Sequence, residues 1–215
     1  MKLSKRTMGI LKSFSRINES VVIHPGSDIA VISNLRDVYA KATVEEVFET
    51  TISIYNINDF LGVVSLFEDP DIQFLEKQAV ITDGSKKQIY NYADPSIITQ
   101  PPKTGVNLPS VDVKATLSRE DFTTLLKAAA VNASNEISFT DGGVEVKNSS
   151  TNNQFRIDNV SETNATYNLS IPIENMKMIP DDYDVSIASA GLSVFSGASD
   201  VTYAVALKAD GYFQA

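Results

Sequence analysis

The chain has 215 residues, 43% of them hydrophobic, with no cysteine and a net charge of −9. This length and apolar content suit one large domain or two ordinary ones with a real core, and they exclude a disordered chain. The missing cysteine excludes disulfides, thiolate metal sites and a cysteine nucleophile, and the acidic balance argues against general affinity for nucleic acid.

The opening stretch, Met1 to Asn18, breaks that balance. It holds Lys2, Lys5, Arg6, Lys12 and Arg16 and no acid, while Glu19 to Ala215 carries 13 basic and 27 acidic residues, a net of −14. Wound as a helix at about 100° per residue, it gathers Leu3, Ile10, Leu11, Phe14 and Ile17 on one side. Lys5, Lys12 and Arg16 fall within about 40° of one another on the other side, flanked by Lys2 and Arg6. Such a stripe is either a solvated helix face or a surface that follows a phosphate backbone. The absence of acids favours the second. Lys12 and Arg16 also interrupt the continuous apolar core that a signal peptide needs. No apolar run reaches the ~20 residues that span a bilayer. A cytoplasmic protein with no membrane contact is expected.

Short alternating segments follow. Val21 to His24, Ile29 to Asn34, Val38 to Val44 and Thr50 to Tyr55 read as strands, with a turn cluster over His24 to Asp28. Asn56 to Phe67 opens on capping residues and spaces Ile57, Phe60, Leu61 and Val64 as a helix. Asp71 to Leu75, Ala79 to Thr82 and Lys87 to Tyr92 are three more strands, the last two joined by a hairpin at Asp83-Gly84. Ala93 to Ser110 has four prolines and almost no periodicity, so it reads as a linker between domains at 1–92 and 111–215.

The second half repeats the order. A strand at Val111 to Thr116 precedes a helix opened by Ser118-Arg119-Glu120-Asp121, with Phe122, Leu125, Leu126 and Ala129 on one face. Strands are expected at Glu136 to Thr140, Val144 to Asn148, Gln154 to Asn159 and Thr166 to Ile171. A short helix over Ile173 to Met178, bounded by Pro172 and Pro180, leads to strands at Tyr183 to Ala188, Leu192 to Phe195 and Val201 to Leu207. Each half therefore gives an antiparallel sheet with two helices on one face, an α+β arrangement of two similar domains.

Catalytic chemistry is hard to find. His24 is the only histidine and lacks metal-ligand partners of the usual kinds. No phosphate-binding glycine loop or nucleophile elbow is present. The pairs Glu45-Glu46, Asp69/Asp71 and Asp181-Asp182 read as solubilising charge. No enzyme activity, cofactor or metal is expected. The other helical cations are Arg119 and Lys127 on the third helix and Lys177 on the fourth.

MKLSK at 1–5, LKSFSRIN at 11–18, ISIYNINDFLGVVSL at 52–66, ADPS at 93–96, ENMKM at 174–178 and YAVALKAD at 203–210 resemble the sliding clamps of T-even-like bacteriophages, the processivity factors of the phage DNA polymerase. The resemblance implies a homotrimeric ring closed head to tail around double-stranded DNA. Two clamp-fold domains per subunit give it pseudo-sixfold symmetry, with helices lining the hole. Lys5, Lys12 and Arg16 would line that hole, supported by Arg6, Arg119, Lys127 and Lys177. Ring closure would set Lys87, Ile89, Tyr90 and Tyr92 of one subunit beside Gln154, Phe155, Arg156 and Ile157 of the next. The viral DNA polymerase, the clamp loader and a late-transcription factor would insert short hydrophobic tails near the linker, with Tyr212 and Phe213 helping to form the pocket. The polar run Asn148 to Asn153 is shorter than the family's corresponding region, which bears on the subunit edge. The alternative from another class is a structural β-rich virion protein with an amphipathic N-terminal helix.

Overall fold

Residues 1–161 and 163–214 are described by a computed structural model. The chain divides into two compact units, Met1–Gly105 and the residues from Val106 onward.

In the first unit, α1 (Lys5–Phe14) starts where the Ser4 side chain accepts the Thr7 amide at 3.1 Å. It is shorter than the sequence pattern suggests. Ser4 is extended, and after Phe14 the amides of Arg16 and Ile17 turn back to Ser13 and Phe14, which tightens the chain out of the helix. Ile10, Leu11 and Phe14 are buried along its inner stripe, each worth about 1.5–3 kcal/mol of transfer from water. Strands β1 (Val21–Ile23) and β4 (Ile52–Ile54) pair antiparallel, as do β2 (Gly26–Ile32) and β3 (Val38–Phe48). Helix α2 (Ile57–Val64) is capped by the Asn56 side chain, which accepts the Asn58 and Asp59 amides. The meander β5 (Asp71–Phe74), β6 (Gln78–Asp83), β7 (Lys86–Asn91) turns at Gly84, whose φ of +57° suits glycine. Phe60 of α2 packs on Phe74 and Tyr90, with ring centroids 6.4 and 5.2 Å away. Within the expected linker, Pro95–Ile97 form a 3-10 turn capped by Asp94, and Ile98 is buried.

In the second unit, β8 (Val113–Leu117) leads through the Ser118 cap into α3 (Arg119–Asn132), which buries Phe122, Leu125 and Ala129. A five-stranded sheet runs in the order β11 (Gln154–Ile157), β10 (Gly143–Lys147), β9 (Glu136–Thr140), β12 (Thr166–Pro172), β16 (Tyr212–Gln214). Strands β15 (Val201–Ala206), β14 (Leu192–Gly197), β13 (Tyr183–Ala188) and β8 lie side by side in that order. All these pairings are antiparallel.

One expectation is corrected. The fourth helix is only a 3-10 turn, Ile173–Asn175, so among the described residues the second unit has one α-helix and not two. Pro172 offers no capping side chain, the Ile173 amide is held by the Asn135 carbonyl, and burial of Asn175, Met176 and Met178 fixes the segment against its neighbours. Lys177 is therefore exposed on an irregular segment. Tyr212 and Phe213 form a short edge strand against β12, with Phe213 6.2 Å from the ring of Tyr167.

Candidate nucleic-acid interface

The cations of the opening segment separate into two groups. Lys2 pairs with Asp69, and Arg6 donates to the Thr43 carbonyl at 2.8 Å, so both turn toward their own unit. Lys5, Lys12 and Arg16 are exposed on the opposite face. Lys5 has no bonded partner among the described residues. Lys12 donates to Asn58 Oδ1 at 3.0 Å, an acceptor shared with the Ser15 hydroxyl at 3.2 Å. Among the described residues, Arg16 reaches only the Ser13 hydroxyl, 3.1 Å away. Asn58 thus steadies Lys12 without neutralising it.

The helix is built against an electrostatic preference. Its first turn holds Lys5 and Arg6 and no acid, although the positive end of a helix dipole favours anions. The compensation comes from Glu46 on β3. Its carboxylate accepts the Ser4 amide and the Thr7 hydroxyl and is 9% exposed. Burial alone would push this carboxyl up, but hydrogen bonds, led by those from Ser4 and Thr7, outweigh burial and hold it below its ordinary range. Glu46 read from sequence as solvating charge; it is the anchor of α1. The signal lay in the period-2 burial of β3, where Ala40, Ala42, Val44, Glu46 and Phe48 all face inward. Asp181 and Asp182 are also structural, accepting the Ser199 and Arg119 amides at 2.9 and 2.7 Å.

Arg119 and Lys127 are exposed on α3, in the second unit. The two strands expected at the subunit edge are both terminal in their sheets. β7 has only β6 beside it, and β11 only β10. On β7, Lys86 and Lys87 are exposed, Ile89 is 44% exposed, and Tyr90 packs inward on Phe60. The Tyr92 hydroxyl is buried without a hydrogen-bond partner, and burial pushes the phenol up. On β11, Gln154 is exposed and Phe155 and Ile157 are half-buried. The Arg156 guanidinium is engaged within its own chain, by Asp158 at 2.6 Å and Glu145 at 3.1 Å. What β11 leaves open is its backbone and apolar side chains.

A groove of about 440 Å³ lies beside the linker segment, walled by His24, Pro25, Tyr39, Lys41, Pro101 and Pro102. His24 Nε2 and Gln100 Oε1 are 3.2 Å apart across it. Tyr212 and Phe213 are not among its walls. Among the described residues, no group of three or more His, Asp or Glu is placed to hold a metal ion, and no helix is long and apolar enough to cross a membrane.

The fold is that of the DNA sliding clamps. Archaeoglobus fulgidus PCNA, solved with the C-terminal region of FEN-1, superposes with a TM-score of 0.71 at 13% identity, covering 94% of this chain and 95% of that one. The β chain of DNA polymerase III from Streptococcus pneumoniae gives 0.71 at 14% identity, over 95% of this chain and 63% of that one. In sequence, residues 2–100 match the family described as DNA polymerase processivity factor. The curated relatives it matches are phage sliding clamps: that of Vibrio phage KVP40 at 35% identity over 60% of each chain, and that of Enterobacteria phage T4 at 31% over 60% of this chain and 57% of that one. Each match therefore spans less than two thirds of the relative's length.

Proposed function

We propose that this chain is a replication sliding clamp of a T4-like phage. Three copies close head to tail around double-stranded DNA and tether the viral polymerase, in the host cytoplasm. It works as a processivity factor and has no catalytic step. The observation that carries the reading is the exposed trio of Lys5 and Lys12 on α1 and Arg16 in the turn that follows it, the helix having a cationic first turn despite its dipole, in a chain that is acidic elsewhere.

Such contacts recognise phosphate without reading bases, so they hold any sequence and loosen with salt. Retention then comes from topology, and weak contacts leave the ring able to slide. Arg119, Lys127 and Lys177 add cations from the second unit. Closure pairs β7 of one copy with β11 of the next, because an unpaired strand edge is satisfied by another strand and a head-to-tail contact with the right rotation closes. The groove beside Pro101 and Pro102 takes the hydrophobic tails of the polymerase, the clamp loader and a late-transcription factor. The FEN-1 segment on the archaeal relative supports a peptide-binding role of this kind. Nothing in the fold or the relatives' names favours a virion protein.

The test is processive synthesis by a T4-like polymerase on circular DNA, with molar mass measured by light scattering. Three chains of 23.4 kDa give about 70 kDa. Long products that shorten when Lys5, Lys12 and Arg16 are all changed to Ala support the reading. Unchanged products with the triple variant, or a monomer at every concentration with no stimulation of synthesis, overturn it.

A further inference from the structure

We propose that Gly9 is the point of closest approach between α1 and the duplex; this rests on the DNA-encircling reading above. Gly9 lies inside α1, one turn from both Lys5 and Lys12, and is exposed on the face those two share, with the exposed Arg16 in the turn just beyond the helix. Glycine is disfavoured against alanine inside a helix, so its place there calls for a cause. Crowding within the chain is not the cause, because a Cβ built at Gly9 meets nothing within 4 Å. Backbone conformation is not the cause either. Gly9 is not among the positive-φ glycines, and an ordinary helical φ accepts any residue.

The remaining direction is outward, and the flanking side chains say what comes from there. Lys5, Lys12 and Arg16 select an extended polyanion. Removing one Cβ lowers the floor between them by about 1.5 Å, a carbon–carbon bond. A phosphate backbone can then rest against the peptide planes of α1 while the longer cationic arms reach it from either side. Glycine is the residue that permits such contact between a backbone and its ligand. Gly9 is on this account a positioning residue. It sets how near the three cations come to phosphate and carries no charge of its own.

The experiment compares the parent, Gly9→Ala, Gly9→Gln and the Lys5/Lys12/Arg16→Ala triple variant, all as full-length chains. Each is titrated onto a fluorescent 30-base-pair duplex of arbitrary sequence at several salt concentrations, roughly 20–150 mM, with anisotropy as the readout. Gly9→Ala is expected to raise Tm by roughly 2–4 °C, since alanine is the better helix former. It is also expected to weaken duplex binding about threefold and flatten the salt slope, with Gly9→Gln weakening it further. Greater stability with poorer binding is the signature that a merely tolerated glycine would not give. If both Gly9 variants bind as the parent does while the triple variant loses binding, the Gly9 proposal is wrong and the DNA reading stands. If the triple variant binds like the parent, the DNA reading falls and the Gly9 proposal falls with it.

Discussion

The guanidinium of Arg156 lies across Gly143, so close that a Cβ there would sit 2.4 Å from Nη2. That placement lets one side chain tie β11 to the β9–β10 turn, through Thr140 Oγ1, Glu145 and Asp158. Alanine at 143 displaces the guanidinium from these partners. Gly143→Ala is therefore expected to cost about 1–2 kcal/mol, the scale of a part-exposed charged hydrogen-bond set. In an Arg156→Ala background the same change is expected to cost little. A double-mutant cycle by denaturant unfolding measures the coupling, and equal costs in both backgrounds would remove Arg156 as the cause.

Glu46 makes the seating of α1 depend on pH. Its folded-state value is depressed, so its contribution is complete above the ordinary carboxylate range and is lost as pH falls through the lower folded value. Glu46→Gln keeps the shape but loses the charge, and is expected to cost about 1–3 kcal/mol at neutral pH by weakening the hold on the Ser4 amide and the Thr7 hydroxyl. The gap in Tm between parent and variant should narrow on acidification. A constant gap would show that the carboxylate charge is irrelevant.

Asn58→Asp separates stability from DNA contact. The new carboxylate stands where Oδ1 now accepts from Lys12 at 3.0 Å, and it also sits in the first turn of α2. Stability should rise by about 0.3–1 kcal/mol through the helix dipole. Lys12 becomes paired, so the slope of log affinity against log salt should fall by up to about 0.9, one phosphate contact. Thermal melts and duplex titrations read the two effects separately.

Ile89 tests the strand edge. It is 44% exposed on β7, so Ile89→Asp should leave the fold of the protomer, read by circular dichroism, unchanged while opposing strand addition. Light scattering over a concentration series is expected to show the variant as monomer at concentrations where the parent forms the proposed trimer. If β7 meets β11 as proposed, the exposed Lys86 and Lys87 on β7 and the surplus of acid around Arg156 further predict that added salt weakens the proposed trimer.

Much of this architecture was legible because its elements are punctuated. Asn56 and Ser118 announce helices, Gly84 and Gly142 announce hairpins, and period-2 stretches mark strands. The cationic face followed from spacing alone. Three things were not legible. Ile173 to Met178 has helical composition, but tertiary burial of its methionines decides its shape. β16 is three residues long, too short for any period to show. The groove draws its walls from residues around 24, 40 and 101, distant in sequence and without a local motif.

The Glu46 anchor also has a mechanical consequence. Its two hydrogen bonds to Ser4 and Thr7 clamp the first turn of α1 onto an eleven-residue strand. A sideways drag at Lys5 is therefore shared with β3 through Glu46 and does not fall on the end of the helix alone.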